Sequence, residues 1–106
     1  YTREPWRASV NQSLVRSYRL AGNLERAEAH LEKAFQIGIE RSADHPDSAT
    51  AAYSYARTLQ LADRHQEAFE QFARAYETDP TSSRYRSAYF AARARLARSD
   101  IELPNQ

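Results

Sequence analysis

The sequence contains no cysteine and no methionine, and only two of its 106 residues are glycine. Without cysteine the chain has no disulfide, no thiolate metal ligand and no cysteine nucleophile. Two glycines are too few for a glycine-rich phosphate-binding loop, and no strand-to-helix nucleophile motif occurs. No run of about 18 apolar residues is present, so we expect no membrane insertion. The formal net charge of +1 gives no support for nucleic-acid binding.

Residue types that carry chemistry are present but scattered. The histidines His30, His45 and His65 have no second ligand three or four residues away on one helix, so no metal site is expected. Acid pairs such as Glu67 and Glu70 fall on expected helix surfaces, where they serve solvation. We therefore expect no catalytic residue and no cofactor.

The chain starts at Tyr1, which suggests a domain excised from a longer protein. Because its first residues lack the layout of a signal peptide, we expect a cytoplasmic location. Fourteen of the fifteen basic residues are arginine, a bias that points to a bacterial source.

Apolar residues recur at intervals of three and four positions, which predicts helices rather than strands. Gly22–Asn23, Pro46, Asp63–His65 and Pro80 separate the apolar stretches. The predicted helices span about 2–21, 24–41, 48–62, 66–78 and 83–98, with Asp47 or Ser48 as the N-cap of the third. The tail at 99–106 is predicted to be irregular.

Two segments of the chain match each other without a gap. Residues 14–35 and 55–76 align at an offset of 41 positions, so that Ala27 pairs with Ala68, Leu31 with Phe72 and Ala34 with Ala75. Small residues at these positions allow two antiparallel helices to approach closely. Such a pair cannot bury its apolar face alone, so consecutive pairs are predicted to stack into a solenoid.

This pattern resembles the tetratricopeptide repeat. The second unit, residues 49–82, has the 34-residue length of that repeat and carries its small and apolar residues at Ala56, Leu59, Ala68, Phe72 and Ala75 before Asp79–Pro80. The first unit, about 8–48, is seven residues longer and ends in a His-Pro-Asp linker. It resembles the variant repeat of kinesin light chains and of many bacterial regulatory proteins. The predicted fold is an all-α solenoid of two units in a single domain, followed by a terminal helix that caps the array or begins another repeat.

The resemblance implies a protein-interaction module rather than an enzyme. Members of the family bind polypeptides in a concave groove lined by the first helix of each pair. Helical spacing places in that groove Gln12, Arg16, Arg19, Tyr53, Arg57, Gln60, Arg84 and Arg95. The predicted groove is basic, so an acidic peptide or a C-terminal carboxylate is the expected partner. The alternative is that these arginines only solvate the surface.

Other functions are compatible with the same sequence. The module is alternatively a regulatory or sensory appendage of a larger bacterial enzyme or transcription regulator. His45-Pro46-Asp47 also marks the loop of J-domain co-chaperones, but there the loop follows a basic helix that ends in an aromatic residue. Here Ile39–Ala43 precedes it, so a proline stop before an N-cap is favoured. Self-association is a further possibility, through Tyr89, Phe90 and Leu96 or through Trp6.

Overall fold

A computed structural model describes the backbone of residues 4–102 and the side chains of residues 10–98. Within these residues the chain forms α-helices and no strand, as α1 (Glu4–Leu20), α2 (Leu24–Asp44), α3 (Ala49–Leu61), α4 (His65–Thr78) and α5 (Ser83–Glu102). The predicted all-α repeat fold is confirmed. No helix in this part of the chain combines the length and the apolar character needed to cross a membrane.

The helices are delimited by side-chain caps and by tight turns. Asn23 caps α2 by accepting a hydrogen bond from the Arg26 amide at 3.2 Å. Ser48, rather than Asp47, caps α3 by accepting a bond from the Ala51 amide at 3.1 Å. Each cap satisfies a backbone donor that has no partner within the helix.

The turns that follow α1 and α3 are built in the same way. Gly22 has a φ of 82°, and Asp63, its equivalent 41 residues later, has a φ of 61°. After each of them an amide reaches back over the helix end: Asn23 N to Tyr18 O at 2.8 Å, and Arg64 N to Leu59 O at 2.9 Å. A left-handed residue with this backbone bond is a common way to end a helix. The internal repeat therefore extends to the turn between the two helices of a pair.

The helices pack mainly against their neighbours in sequence, and α1 also contacts α3. The predicted stripes of α2 and α4 are buried, with Ala27, Leu31 and Ala34 on one helix and Ala68, Phe72 and Ala75 on the other. One apolar cluster includes Val15, Ala27 and Leu31, and a second includes Ala56, Leu59, Phe72 and Ala92. Phe35 packs against both clusters and so joins the two units.

The longer first unit lengthens its second helix. α2 has 21 residues, whereas α4 has 14. The predicted end near Arg41 is too early, because no breaker occurs until Pro46 and the helix leaves α geometry only at His45, the residue before it. Gly38 lies in the added turns and is buried against the ring of Tyr55 on α3.

The terminal helix also exceeds its predicted length. α5 continues to Glu102, so the prediction of an irregular tail is wrong for residues 99–102. The physical reason is that no glycine or proline follows Pro80 until Pro104, and the alanine-rich helix has no signal to stop earlier. Residues 103–106 lie outside the described residues.

The predicted self-association surface is partly exposed. Phe90 is 46% exposed, whereas Tyr89 and Leu96 are half-buried. The Trp6 side chain lies outside the described side chains. Self-association through these residues stays a prediction.

Candidate functional site

Side chains from four helices line one pocket, which opens on the face formed by α1, α3 and α5. The pocket has a volume of about 180 Å³. Its lining comes from α1, from the end of α3 and the turn after it, from the start of α4 and from α5, and consists of Arg16, Arg57, Gln60, Leu61, Asp63, His65 and Arg95. Four of the eight residues predicted for the groove, namely Arg16, Arg57, Gln60 and Arg95, therefore meet in one place.

The pocket has an excess of positive charge. Among its described lining residues the cations are Arg16, Arg57 and Arg95, and the one acid is Asp63. The Asp63 side chain is 88% exposed, and its Oδ1 lies 3.5 Å from Nε2 of His65. An exposed carboxylate is screened by water and offsets only part of the charge of three guanidinium groups. The pocket is therefore suited to an anion.

Arg64 lies between Asp63 and His65 in sequence but does not line the pocket. Its Nε donates to Glu67 Oε1 at 2.6 Å and its Nη2 donates to Oε2 at 3.0 Å. The hydrogen bond and the negative charge of Glu67 raise the pKa of Arg64. This pairing keeps the Arg64 guanidinium on α4, where it also lies 5.5 Å from the ring of Phe35.

Tyr53 lies next to the pocket and contacts two aromatic rings and two arginines. Its ring packs edge-on against the buried Phe72, at 5.7 Å between centroids, and lies tilted against the ring of Tyr85 on α5 at 5.3 Å. The Cζ atoms of Arg57 and Arg84 lie 5.9 Å and 6.0 Å from the same ring. Nη1 of Arg57 also donates to the Tyr53 hydroxyl at 3.3 Å. Arg57 thus contacts Tyr53 and also lines the pocket.

Two predicted groove residues have other positions. Gln12 is only 5% exposed, and its Nε2 donates to Ser54 O at 3.0 Å and to Thr58 Oγ1 at 2.9 Å. The prediction that Gln12 lines the groove is wrong, because its amide is used to join α1 to α3. Arg19 is exposed on α1 but does not line the pocket.

Sequence reasoning missed Asp63, His65 and Tyr85. For Asp63 a signal exists, since its alignment with Gly22 indicates a positive φ that turns the chain at the groove end of α3. The Tyr85 hydroxyl lies 3.2 Å from Thr50 Oγ1 and links α5 to α3. No pattern in the sequence indicates that contact.

Comparison with known proteins agrees with the geometry of the helices. The family model of the tetratricopeptide repeat matches residues 6–81, which include both helix pairs but not α5. No match was found among curated proteins or among solved structures. Proteins with this repeat are generally non-catalytic modules for protein–protein interaction. With most of its length matched and two stacked helix pairs in the structure, the chain belongs to the tetratricopeptide repeat family.

Proposed function

We propose that this chain binds an acidic segment of a polypeptide partner in the groove formed by α1, α3 and α5. The observation that carries the proposal is the convergence of Arg16, Arg57 and Arg95, which come from three different helices, on one pocket. Arginines that only solvate a surface have no reason to meet in a concavity. Here they meet beside a single exposed carboxylate among the residues described there.

The chemistry of these groups explains how an acidic segment would be held. A guanidinium presents its N–H donors in a planar fork that matches the two oxygens of a carboxylate. Arg57 donates a hydrogen bond to Tyr53, which restricts its side chain and reduces the conformational entropy that it loses when it binds. Arg84 and the edge of Tyr53 extend the same surface, where an apolar stem of a bound side chain can pack.

The proposal takes the first unit as the longer repeat variant that resembles kinesin light chains. The 21-residue length of α2 supports this assignment, because the added turns continue the helix instead of forming a longer loop. The variant changes the outer helix of the pair and leaves α1 and α3 to line the groove.

A binding assay with charge-matched variants tests the proposal. The probe is a labelled peptide rich in aspartate and glutamate, and its affinity is measured by fluorescence anisotropy at several salt concentrations. Replacing Arg16 and Arg57 together with alanine is expected to weaken binding about a hundredfold or more, since each of the two charge-assisted hydrogen bonds contributes roughly 1.5–3 kcal/mol. The salt dependence should also decrease.

The control removes the same charge elsewhere. Arg86 and Arg93 are exposed on α5 and do not line the pocket. Their double replacement by alanine should change affinity only slightly. Equal losses in the two double variants would mean that binding depends on overall charge, and the groove proposal would then be refuted.

A further inference from the structure

We infer that the pocket between Arg16, Arg57 and Arg95 is a binding site for one dianionic group, a phosphorylated serine or threonine side chain of the partner. This inference rests on the proposed function and specifies which anion the centre of the groove accepts. A carboxylate-only segment would occupy the groove without matching the pocket.

The charge of the pocket favours a dianion. The three arginines and Asp63, which are the charged groups among the described lining residues, leave two positive charges uncompensated. A carboxylate brings one negative charge, whereas a phosphate monoester carries about −1.5 to −2 near pH 7. Only the phosphate neutralises the excess with a single group.

The directions from which the arginines come favour a tetrahedral ligand. Arg16 is on α1, Arg57 on α3 and Arg95 on α5, so the three arginines line the pocket from three separate helices. A phosphate monoester presents three terminal oxygens in different directions, while a carboxylate presents two in one plane. Gln60 adds an amide donor to the same lining.

The size of the pocket fits one such group. A volume of about 180 Å³ is below the roughly 300–1,000 Å³ of pockets that enclose drug-sized ligands. That space holds a phosphate and part of its side chain but not a run of residues. The rest of a bound peptide would lie along the groove, next to Tyr53 and Arg84.

One of the three arginines is fixed before the ligand arrives. Arg57 donates to the Tyr53 hydroxyl, and the Tyr53 ring rests on Phe72, which is only 2% exposed. A donor held by the core in this way forms its bond to an anion at a smaller entropic cost than a free surface arginine.

The test compares three labelled peptides that differ at one central position. The peptides share an acidic sequence and carry serine, aspartate or phosphoserine at that position, and their dissociation constants are measured at fixed ionic strength. With the unmodified protein we expect the phosphoserine peptide to bind at least about tenfold more tightly than the aspartate peptide. Equal affinities for these two peptides would overturn the inference.

Two variants are expected to shift this preference in opposite directions. The gain from phosphorylation is the affinity for the phosphoserine peptide divided by the affinity for the aspartate peptide. In Arg57→Ala this gain should fall below about threefold, whereas in Arg86→Ala it should stay at its value in the unmodified protein. Asp63→Asn removes the acid of the pocket and keeps a residue type that tolerates positive φ, so the gain should increase several-fold. Equal losses in Arg57→Ala and Arg86→Ala, or an unchanged gain in Asp63→Asn, would refute the assignment to this pocket.

The serine peptide separates this inference from the proposed function. In one outcome the serine peptide binds, its binding requires Arg16 and Arg57, and the phosphoserine peptide binds no more tightly than the aspartate peptide. The groove proposal then stands and the phosphate site is refuted. If the serine peptide does not bind, while the phosphoserine peptide binds through Arg57, the phosphate site stands without a general acidic groove. If neither peptide binds, both are refuted.

Discussion

The contact between Gly38 and Tyr55 makes a quantitative prediction about the extended helix α2. A Cβ atom added at Gly38 would lie 2.7 Å from Cδ1 of Tyr55, 3.3 Å from its Cγ and 3.4 Å from its Cβ. The favourable separation of two carbon atoms is about 3.5–4.0 Å. The crowded atoms are near the stem of the side chain, and the ring also packs edge-on against Phe35 at 6.4 Å, so Tyr55 cannot move away freely.

Two opposing effects decide the outcome of Gly38→Ala. Replacing a mid-helix glycine with alanine stabilises a helix by about 0.5–1 kcal/mol. Forcing an extra methyl group into a packed contact costs about 1–3 kcal/mol. We therefore expect a net loss of about 1 kcal/mol in the free energy of unfolding. In a Tyr55→Ala background the crowding is absent, so the same substitution should stabilise the protein by about 0.5–1 kcal/mol.

Urea unfolding followed by circular dichroism gives the free energy of unfolding of four proteins: the unmodified protein, Gly38→Ala, Tyr55→Ala and the double variant. The effect of Gly38→Ala in each background is the difference between two of these values. Gly22→Ala serves as the control, because a Cβ at Gly22 meets no atom within 4 Å while its φ of 82° disfavours alanine. That substitution should destabilise the protein equally in both backgrounds, by about 1 kcal/mol. If Gly38→Ala changed the free energy of unfolding by the same amount with and without the Tyr55 ring, the proposed contact between α2 and α3 would be wrong.

Two further predictions concern the contacts that set the positions of α1 and α3. Gln12→Ala should lower the free energy of unfolding by about 1–3 kcal/mol, because it removes two hydrogen bonds between α1 and α3 that contribute roughly 0.5–1.5 kcal/mol each. Arg19→Ala, on the exposed side of the same helix, should change it by less than about 0.5 kcal/mol, and equal effects in urea denaturation would contradict the assigned role of Gln12. Ser48→Ala should cost about 1 kcal/mol through loss of the α3 cap, and Ser48→Asp should restore most of it in thermal melts. No difference between the two Ser48 variants would show that the cap is unimportant.

The sequence predicts the fold well because the repeat is encoded in local features. Ala27 and Ala34 on α2, and their equivalents Ala68 and Ala75 on α4, are small residues at helical spacing and are all buried. Helix ends are less predictable, since α2 and α5 run on until a proline approaches. The resemblance of the first unit to the kinesin light chain variant stays a prediction, as does the cytoplasmic location.

The residues that line the pocket were predictable only in part, because side-chain contacts between helices depend on how closely the helices pack. Helical periodicity predicts Arg16, Arg57 and Arg95 on one face, and all three line the same pocket. It also assigns Gln12 to that face, but α1 approaches α3 closely enough there to bury the amide. Asp63 reaches the pocket because of a left-handed turn, and Tyr85 is placed by a contact between α3 and α5. The spacing of apolar residues predicts neither feature.

The pocket has a consequence for how this protein can change over evolution. Repeat arrays commonly gain or lose whole units, because each unit contacts only its neighbours. The pocket does not divide in that way, since Arg16 belongs to the first unit, Arg57 to the second and Arg95 to α5. Duplicating one unit would leave an array of stacked helix pairs with a different spacing of its arginines. Selection on this pocket would therefore keep the number and order of these helices constant in a fold that otherwise tolerates changes in length.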